Sequence, residues 1–128
     1  WACAQAPGTS LTIEPMNHAD MPGYFLNSFD LAGKIIDEID QPNLGLQFDA
    51  YQAQMIHGDV IDTWERHARN VHHIQIAGCP GRHEPRAGEI NYAGFFRAVD
   101  AAGFRGWVGA EYTPRTSTEA GLRWLRSA

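Results

Sequence analysis

Four short stretches of the chain carry a polar, oxygen-bearing side chain where an apolar run stops: Glu14 in "LTIEPMN", Asp49 in "LGLQFDAY", Gln75 in "HHIQIAG" and Glu111 in "WVGAEY". Proline cannot donate to a sheet ladder, so Pro15 ends the first run and leaves Glu14 at its mouth. A lone acid at a strand end is usually a solvated loop residue or a helix cap. Four at matching places in four apolar runs, 35, 26 and 36 positions apart, describe one repeated unit. Three carboxylates brought close cannot all ionise cheaply, since each like-charged pair at about 4 Å repels by about 4 kcal/mol at an effective dielectric near 20. Protons or a cation must compensate. Glu14, Asp49 and Glu111 with the Gln75 amide oxygen form an all-oxygen set, which suits Mg²⁺ or Mn²⁺ rather than zinc.

The elements that must position these groups follow from periodicity. Extended segments are expected over 11–15, 44–51, 72–78 and 107–112. Residues 24–39 place Leu31, Ile35, Ile36 and Ile39 at helical intervals. Asp59 is a natural N-cap for "VIDTWERHARN". "NYAGFFRAVDAAG" aligns Phe95, Phe96 and Val99 and stops at Gly103, a natural C′ residue. Ser117 caps a tail helix with Leu122 and Leu125 on one face, and residues 1–5 read as the last turn of a clipped helix.

Strand and helix alternating at this spacing means parallel βαβ units. Side chains alternate along a strand, so Leu11 and Ile13 oppose Glu14, and Leu46 and Phe48 oppose Gln47 and Asp49. His72, Ile74 and Ile76 oppose His73 and Gln75, while Val108 and Ala110 oppose Trp107, Gly109 and Glu111. The aliphatic set would meet helices and the polar set would share the other face. Four parallel strands with polar groups on a shared inner face at their C-terminal ends resemble half of a TIM barrel, the fold whose active sites sit there.

At the level of motifs, "IEPMN…DMPGYFL", "QFDAYQAQ", "HIQIAGCPGRHEP..GEINY" and "GWVGAEYTPR.STEAGL" resemble the hydroxypyruvate isomerase family of the xylose isomerase-like TIM barrels, over about residues 10–125. The resemblance implies an aldose–ketose isomerase acting on a small hydroxy-oxo acid, typically converting hydroxypyruvate to tartronate semialdehyde. It implies that Glu14 and Glu111, after the fifth and eighth strands of a full barrel, are the acid–base pair. It implies too that Glu14, Asp49, Gln75 and Glu111 hold a divalent metal. The substrate carboxylate needs a cation in so acidic a site; Arg82, with His83 beside it, is the first candidate and Arg115 the weaker one. Relatives often carry a histidine where this chain has Gln52, which keeps a donor and an acceptor near substrate but cannot take a proton at neutral pH. A four-carbon oxo-acid isomerase or a sugar epimerase would use the same glutamates, and a truncated, non-catalytic barrel would bind only metal or a partner.

Composition limits the rest. At 128 residues the chain suits one domain, read as 1–128, whereas a full barrel needs about 250. These four units correspond to the C-terminal half of the family's barrel, so a second half, from another copy or a longer product, is expected to cover the inner face; the missing initiator methionine points to a fragment. A net charge of −5 opposes a nucleic-acid or anionic-membrane partner. No run suits a membrane span and no signal peptide is evident. Cys3 and Cys79 read as reduced thiols of a cytoplasmic protein.

Overall fold

The computed structural model describes residues 1–86 and 88–126. Four strands, β1 (Leu11–Ile13), β2 (Leu44–Asp49), β3 (Val71–Ile76) and β4 (Trp107–Ala110), form one parallel sheet in the order β1-β2-β3-β4. That order matters. In a doubly wound sheet the strand order reverses and helices cover both faces; here each strand lies beside its predecessor throughout. Right-handed crossovers that always step the same way put every helix on one side. The opposite face is left bare, as the inside of a barrel would be.

The helices are α1 (Ala2–Gln5), α2 (Phe29–Ile39), α3 (Ala50–His57), α4 (Val60–His67), α5 (Tyr92–Ala101) and α6 (Thr118–Gly121), with 3₁₀ turns over Ala68–Asn70 and Leu122–Arg126. α2 starts five residues later than its periodicity predicts. The Met16 N–H donates to the Leu26 carbonyl at 2.9 Å, holding the 24–27 segment against the loop after β1. The helix opens only where the Ser28 hydroxyl accepts from the Leu31 N–H. Asp59 caps α4 through the Asp62 N–H, and Gly103, with φ +70°, follows the end of α5 as expected. The tail helix is shorter than expected: four residues after the Ser117 cap, then a 3₁₀ turn, with 127–128 outside the described residues.

The expected strand over 44–51 is corrected most. It stops at Asp49, whose side chain accepts the Tyr51 N–H at 2.8 Å and so caps α3, a helix that sequence reading passed over. α3 ends at Gly58, left-handed at φ +74°. One irregularity in β3 also shifts a side chain: Leu46 pairs with Val71 but Gln47 with His73, leaving His72 as the extra residue of a bulge. His72 therefore leaves the helix-facing row it was expected to join. Its ring lies over Gly45, where any Cβ would collide with it, and its Nδ1 is 2.8 Å from the Ser10 hydroxyl.

The core fills the helical side of the sheet. Leu46 and Phe48 of β2 and Ile74 and Ile76 of β3 pack with Phe29 and Ala32 of α2, Trp64 of α4 and Phe95 of α5. Phe48 is the hub, stacked on Phe95 at 5.8 Å and edge-on to Trp64 at 5.4 Å. His67 is buried against Phe29 with its Nε2 3.1 Å from Asp30. β4 is the exception to the helix-facing rule: Val108 is 41% exposed, because the short α6 leaves a hollow of about 430 Å³ between β4 and the turn carrying Leu122 and Leu125. Among the described residues no helix is long and apolar enough to cross a membrane.

Since Phe48 is fully buried at the centre of this aromatic cluster, Phe48→Ala is expected to cost about 3–5 kcal/mol of unfolding free energy. Urea denaturation followed by circular dichroism measures it, and a loss below about 1 kcal/mol would place the core elsewhere.

Candidate active site

Each acid of the site is delivered by a strand ending. Glu14 is the first residue past β1, Asp49 is the last of β2, and Glu111 follows β4, its own N–H still donating to the Ile76 carbonyl at 3.1 Å. All three lie on the face the helices leave bare. Carboxylate oxygens from Glu14, Asp49 and Glu111 come within 4.8 Å of one another. Convergence of three of the four strand-end groups is therefore observed. The fourth, Gln75, is tied to the set through Gln47, whose amide NH₂ donates both to Glu14 Oε2 at 2.6 Å and to Gln75 Oε1 at 2.7 Å.

Gln47 was not singled out from sequence, although its position two residues before Asp49 puts it on the same face. It forms the floor beneath the carboxylates, and Thr12 donates to its oxygen at 3.4 Å. Only Glu14 Oε2 is satisfied this way. Glu14 Oε1 is buried with no hydrogen-bond partner among the described residues.

Arg82 is the site's cation. Its Nη2 donates to Asp49 Oδ2 at 2.9 Å and to Glu111 Oε2 at 2.6 Å, and its guanidinium carbon stands 5.2 Å from the centre of the Tyr51 ring. The loop that carries it is tightly determined. Tyr92 both donates to the Ala77 carbonyl and accepts from the Ala77 N–H, clamping the end of β3. The Cys79–Pro80 peptide is cis, Gly81 takes φ +92° and Arg82 itself φ +53°, a left-handed setting uncommon for a residue with a side chain. The Arg82 carbonyl accepts the Thr113 N–H at 2.8 Å, which ties the loop to the exit of β4.

His83 lies in the same loop but turns to the β4 exit, its Nδ1 2.8 Å from the Thr113 carbonyl. Glu84 accepts the Arg115 N–H at 3.1 Å. Gln52 is fully buried in α3, and its oxygen accepts from both the backbone N–H and the side-chain amide of Asn17. It anchors the loop after β1. Asn17 passes the connection on to Asp20 at 2.9 Å, and Asp20 accepts from the Tyr51 hydroxyl at 2.8 Å. The platform under Arg82 is thus fixed by a polar chain, Gln52–Asn17–Asp20–Tyr51, that no local sequence pattern signals. Cys3 and Cys79 are both buried free thiols.

Electrostatics follow from this crowding. Burial first, then the Asp49 charge, pushes Glu14 up from 4.5 to about 7, with Gln47 and Arg82 pulling the other way. Burial also raises Asp49 above the ordinary carboxylate range against the opposing pull of Arg82. Asp20, by contrast, is held below it by hydrogen bonds from Asn17 and Tyr51.

The donor set suits a hard divalent cation. It is all oxygen, three of its members are carboxylates, and one buried carboxylate oxygen lacks a partner.

Against known proteins, residues 2–128 match the model of the xylose isomerase-like TIM barrel family. The chain belongs to that family. Within it, the chain is 49% identical over 123 residues to a 2-oxo-tetronate isomerase of Cupriavidus necator, covering 96% of this chain and 47% of that protein. It is 45% identical over 115 residues to a hydroxypyruvate isomerase of Escherichia coli, covering 90% and 45%. A crystal structure from Brucella melitensis described as an AP endonuclease of family 2 superposes with a TM-score of 0.91 at 41% identity, over 98% of this chain and 49% of that one. The family resemblance in the motifs is thereby confirmed, as is the partial-barrel architecture. This chain spans about half the length of the curated relatives it matches.

Because Glu14 binds its proton more tightly folded than unfolded, the folded state takes up protons between about 4.5 and 7, and stability is lost as pH rises through that window. Thermal melts of the metal-free chain should show Tm falling from pH 5 to 7.5, with a visibly flatter profile in Glu14→Gln. The same slope in both would remove Glu14 from this role.

Proposed function

We propose that this chain forms the acid–base half of an isomerase for small hydroxy-oxo acids, in which Glu14 and Glu111 move a proton between adjacent carbons. The observation that carries the reading is the convergence of Glu14, Asp49 and Glu111 on the bare face of the sheet, with Arg82 bridging the last two. The named activities of the C. necator and E. coli relatives support the substrate class.

With hydroxypyruvate, one glutamate as carboxylate takes a proton from C3, and the electron pair flows toward C2 to give an enediolate. The other glutamate as carboxylic acid returns a proton to C2, while the C3 hydroxyl proton passes to the C2 oxygen; tartronate semialdehyde results. In the metal-free site burial and the Asp49 charge push Glu14 up to about 7, so there it can hold or release a proton near neutral pH. Arg82 would receive the substrate carboxylate as a forked donor, with His83 at the same loop. Gln52 contributes by holding the Asn17 loop beside Glu14.

A divalent ion, Mg²⁺ or Mn²⁺, would be held by Glu14, Asp49, Gln75 and Glu111. When bound it supplies positive charge to the developing oxyanion and orients the substrate oxygens.

The inner face, with Trp107 82% exposed, calls for a second half-barrel, from another copy or from the rest of a longer product. This exposure favours a second reading: a truncated module that binds metal or a partner and turns nothing over. Light scattering coupled to size exclusion is expected to show a species larger than the monomer; a stable monomer would contradict the need for a second half.

Assaying the purified chain with hydroxypyruvate and 2-oxotetronate in Mg²⁺ or Mn²⁺ tests the chemistry. Interconversion of at least one is expected, with Glu14→Gln and Glu111→Gln each slowing it by roughly 10²-fold or more at unchanged circular dichroism. Unaltered rates in both variants would overturn the roles assigned, and no turnover by the native chain would favour the module.

A further inference from the structure

We infer that Arg82 is an exchangeable counter-ion. It neutralises Asp49 and Glu111 while the carboxylate site lacks a metal, and it leaves them when a divalent cation arrives, becoming free to take the substrate carboxylate. This rests on the metal-assisted reading above and adds an order to it: metal first, substrate second.

Three observations support the exchange. One nitrogen, Nη2, makes both carboxylate bonds, at 2.9 and 2.6 Å, using oxygens of two of the residues assigned to a metal. The guanidinium and a divalent ion therefore compete for the same lone pairs. The grip is also incomplete: Arg82 Nε is buried without a hydrogen-bond partner among the described residues, and so is Glu14 Oε1, of the same carboxylate cluster. A permanent structural ion pair would be expected to satisfy its buried donor as well, since buried polar groups are normally hydrogen-bonded. Finally, a perch that does not compete with metal lies beneath the side chain. The Tyr51 ring is 5.2 Å from the guanidinium carbon and is itself fixed by the hydroxyl bond to Asp20. Arg82 can give up two carboxylates without losing its aromatic support.

The exchange has a functional consequence. While Arg82 is paired with Asp49 and Glu111, its Nη2 is occupied and a substrate carboxylate meets a guanidinium already engaged by two acids. Replacing that cation by a divalent ion releases the fork and raises the positive charge together. Anionic substrate is then admitted only to a loaded site.

Two measurements on the full chain test this. In the native protein, Mg²⁺ titration followed by ¹⁵N–¹H NMR of the Arg82 side chain should shift its Nε–H signal in step with metal binding. A signal that stays in place while Mg²⁺ demonstrably binds overturns the exchange and leaves the metal site standing. In Arg82→Gln, checked for folding by circular dichroism, Mn²⁺ affinity by calorimetry should tighten roughly a hundredfold or more, the scale of removing the two charge-assisted bonds that metal must otherwise displace. Equal Mn²⁺ affinity in variant and native chain also overturns the exchange. Absence of Mn²⁺ binding in both would instead defeat the metal reading and the exchange with it. Should Arg82→Gln fail to fold, the native-chain NMR titration decides alone.

Discussion

Like-charge repulsion among three carboxylates is the constraint from which the site is built. Glu14, Asp49 and Glu111 hold oxygens within 4.8 Å of one another on the bare face of a parallel sheet. Each must be neutralised, protonated or hydrogen-bonded, and the structure uses all three means. Gln47 donates to Glu14, burial makes Glu14 retain a proton up to about pH 7, and Arg82 bridges the other two. The left-handed Arg82 backbone, the Tyr92 clamp and the Tyr51 platform are what it takes to keep one guanidinium there.

Sheet topology explains why those charges meet at all. Strands laid down in sequence order keep the helices on one side, and strand alternation then sends every second residue to the other. The aliphatic rows enter a core centred on Phe48, while the polar rows have only each other and solvent. Asp49 shows how economically the boundary is used: it ends β2, caps α3 and presents its second oxygen to Arg82. A chain about half as long as its curated relatives thus contains all four strand-end oxygen donors, yet leaves Trp107 facing outward where a closed barrel would bury it.

Much of this was legible in the sequence for a physical reason. Period-two alternation and terminal acids are local patterns, so Glu14, Asp49 and Glu111 could be put in phase from the sequence, and Arg82 could be brought to their site as the cation for a substrate carboxylate, though not as their own partner. What escaped reading depended mostly on partners distant along the chain. Gln47 is one more polar residue on a strand until Glu14 and Gln75 are seen on either side of it. Gln52 was expected near substrate, yet its partner is Asn17, 35 residues upstream. α3 was passed over because the aromatic, β-prone "FDAY" continues a strand pattern, and only the Asp49 cap reveals the change of direction. The His72 bulge, likewise, is a register event between strands that neither strand announces.

The central claim is that these carboxylates exist to share one cation. Crystals of the chain grown with Mn²⁺ and measured at the manganese edge test it most directly. The account predicts a single strong anomalous peak bounded by oxygens of Glu14, Asp49, Gln75 and Glu111, with Arg82 withdrawn toward Tyr51. A peak elsewhere, or none at saturating Mn²⁺ with Arg82 still bridging Asp49 and Glu111, would contradict it.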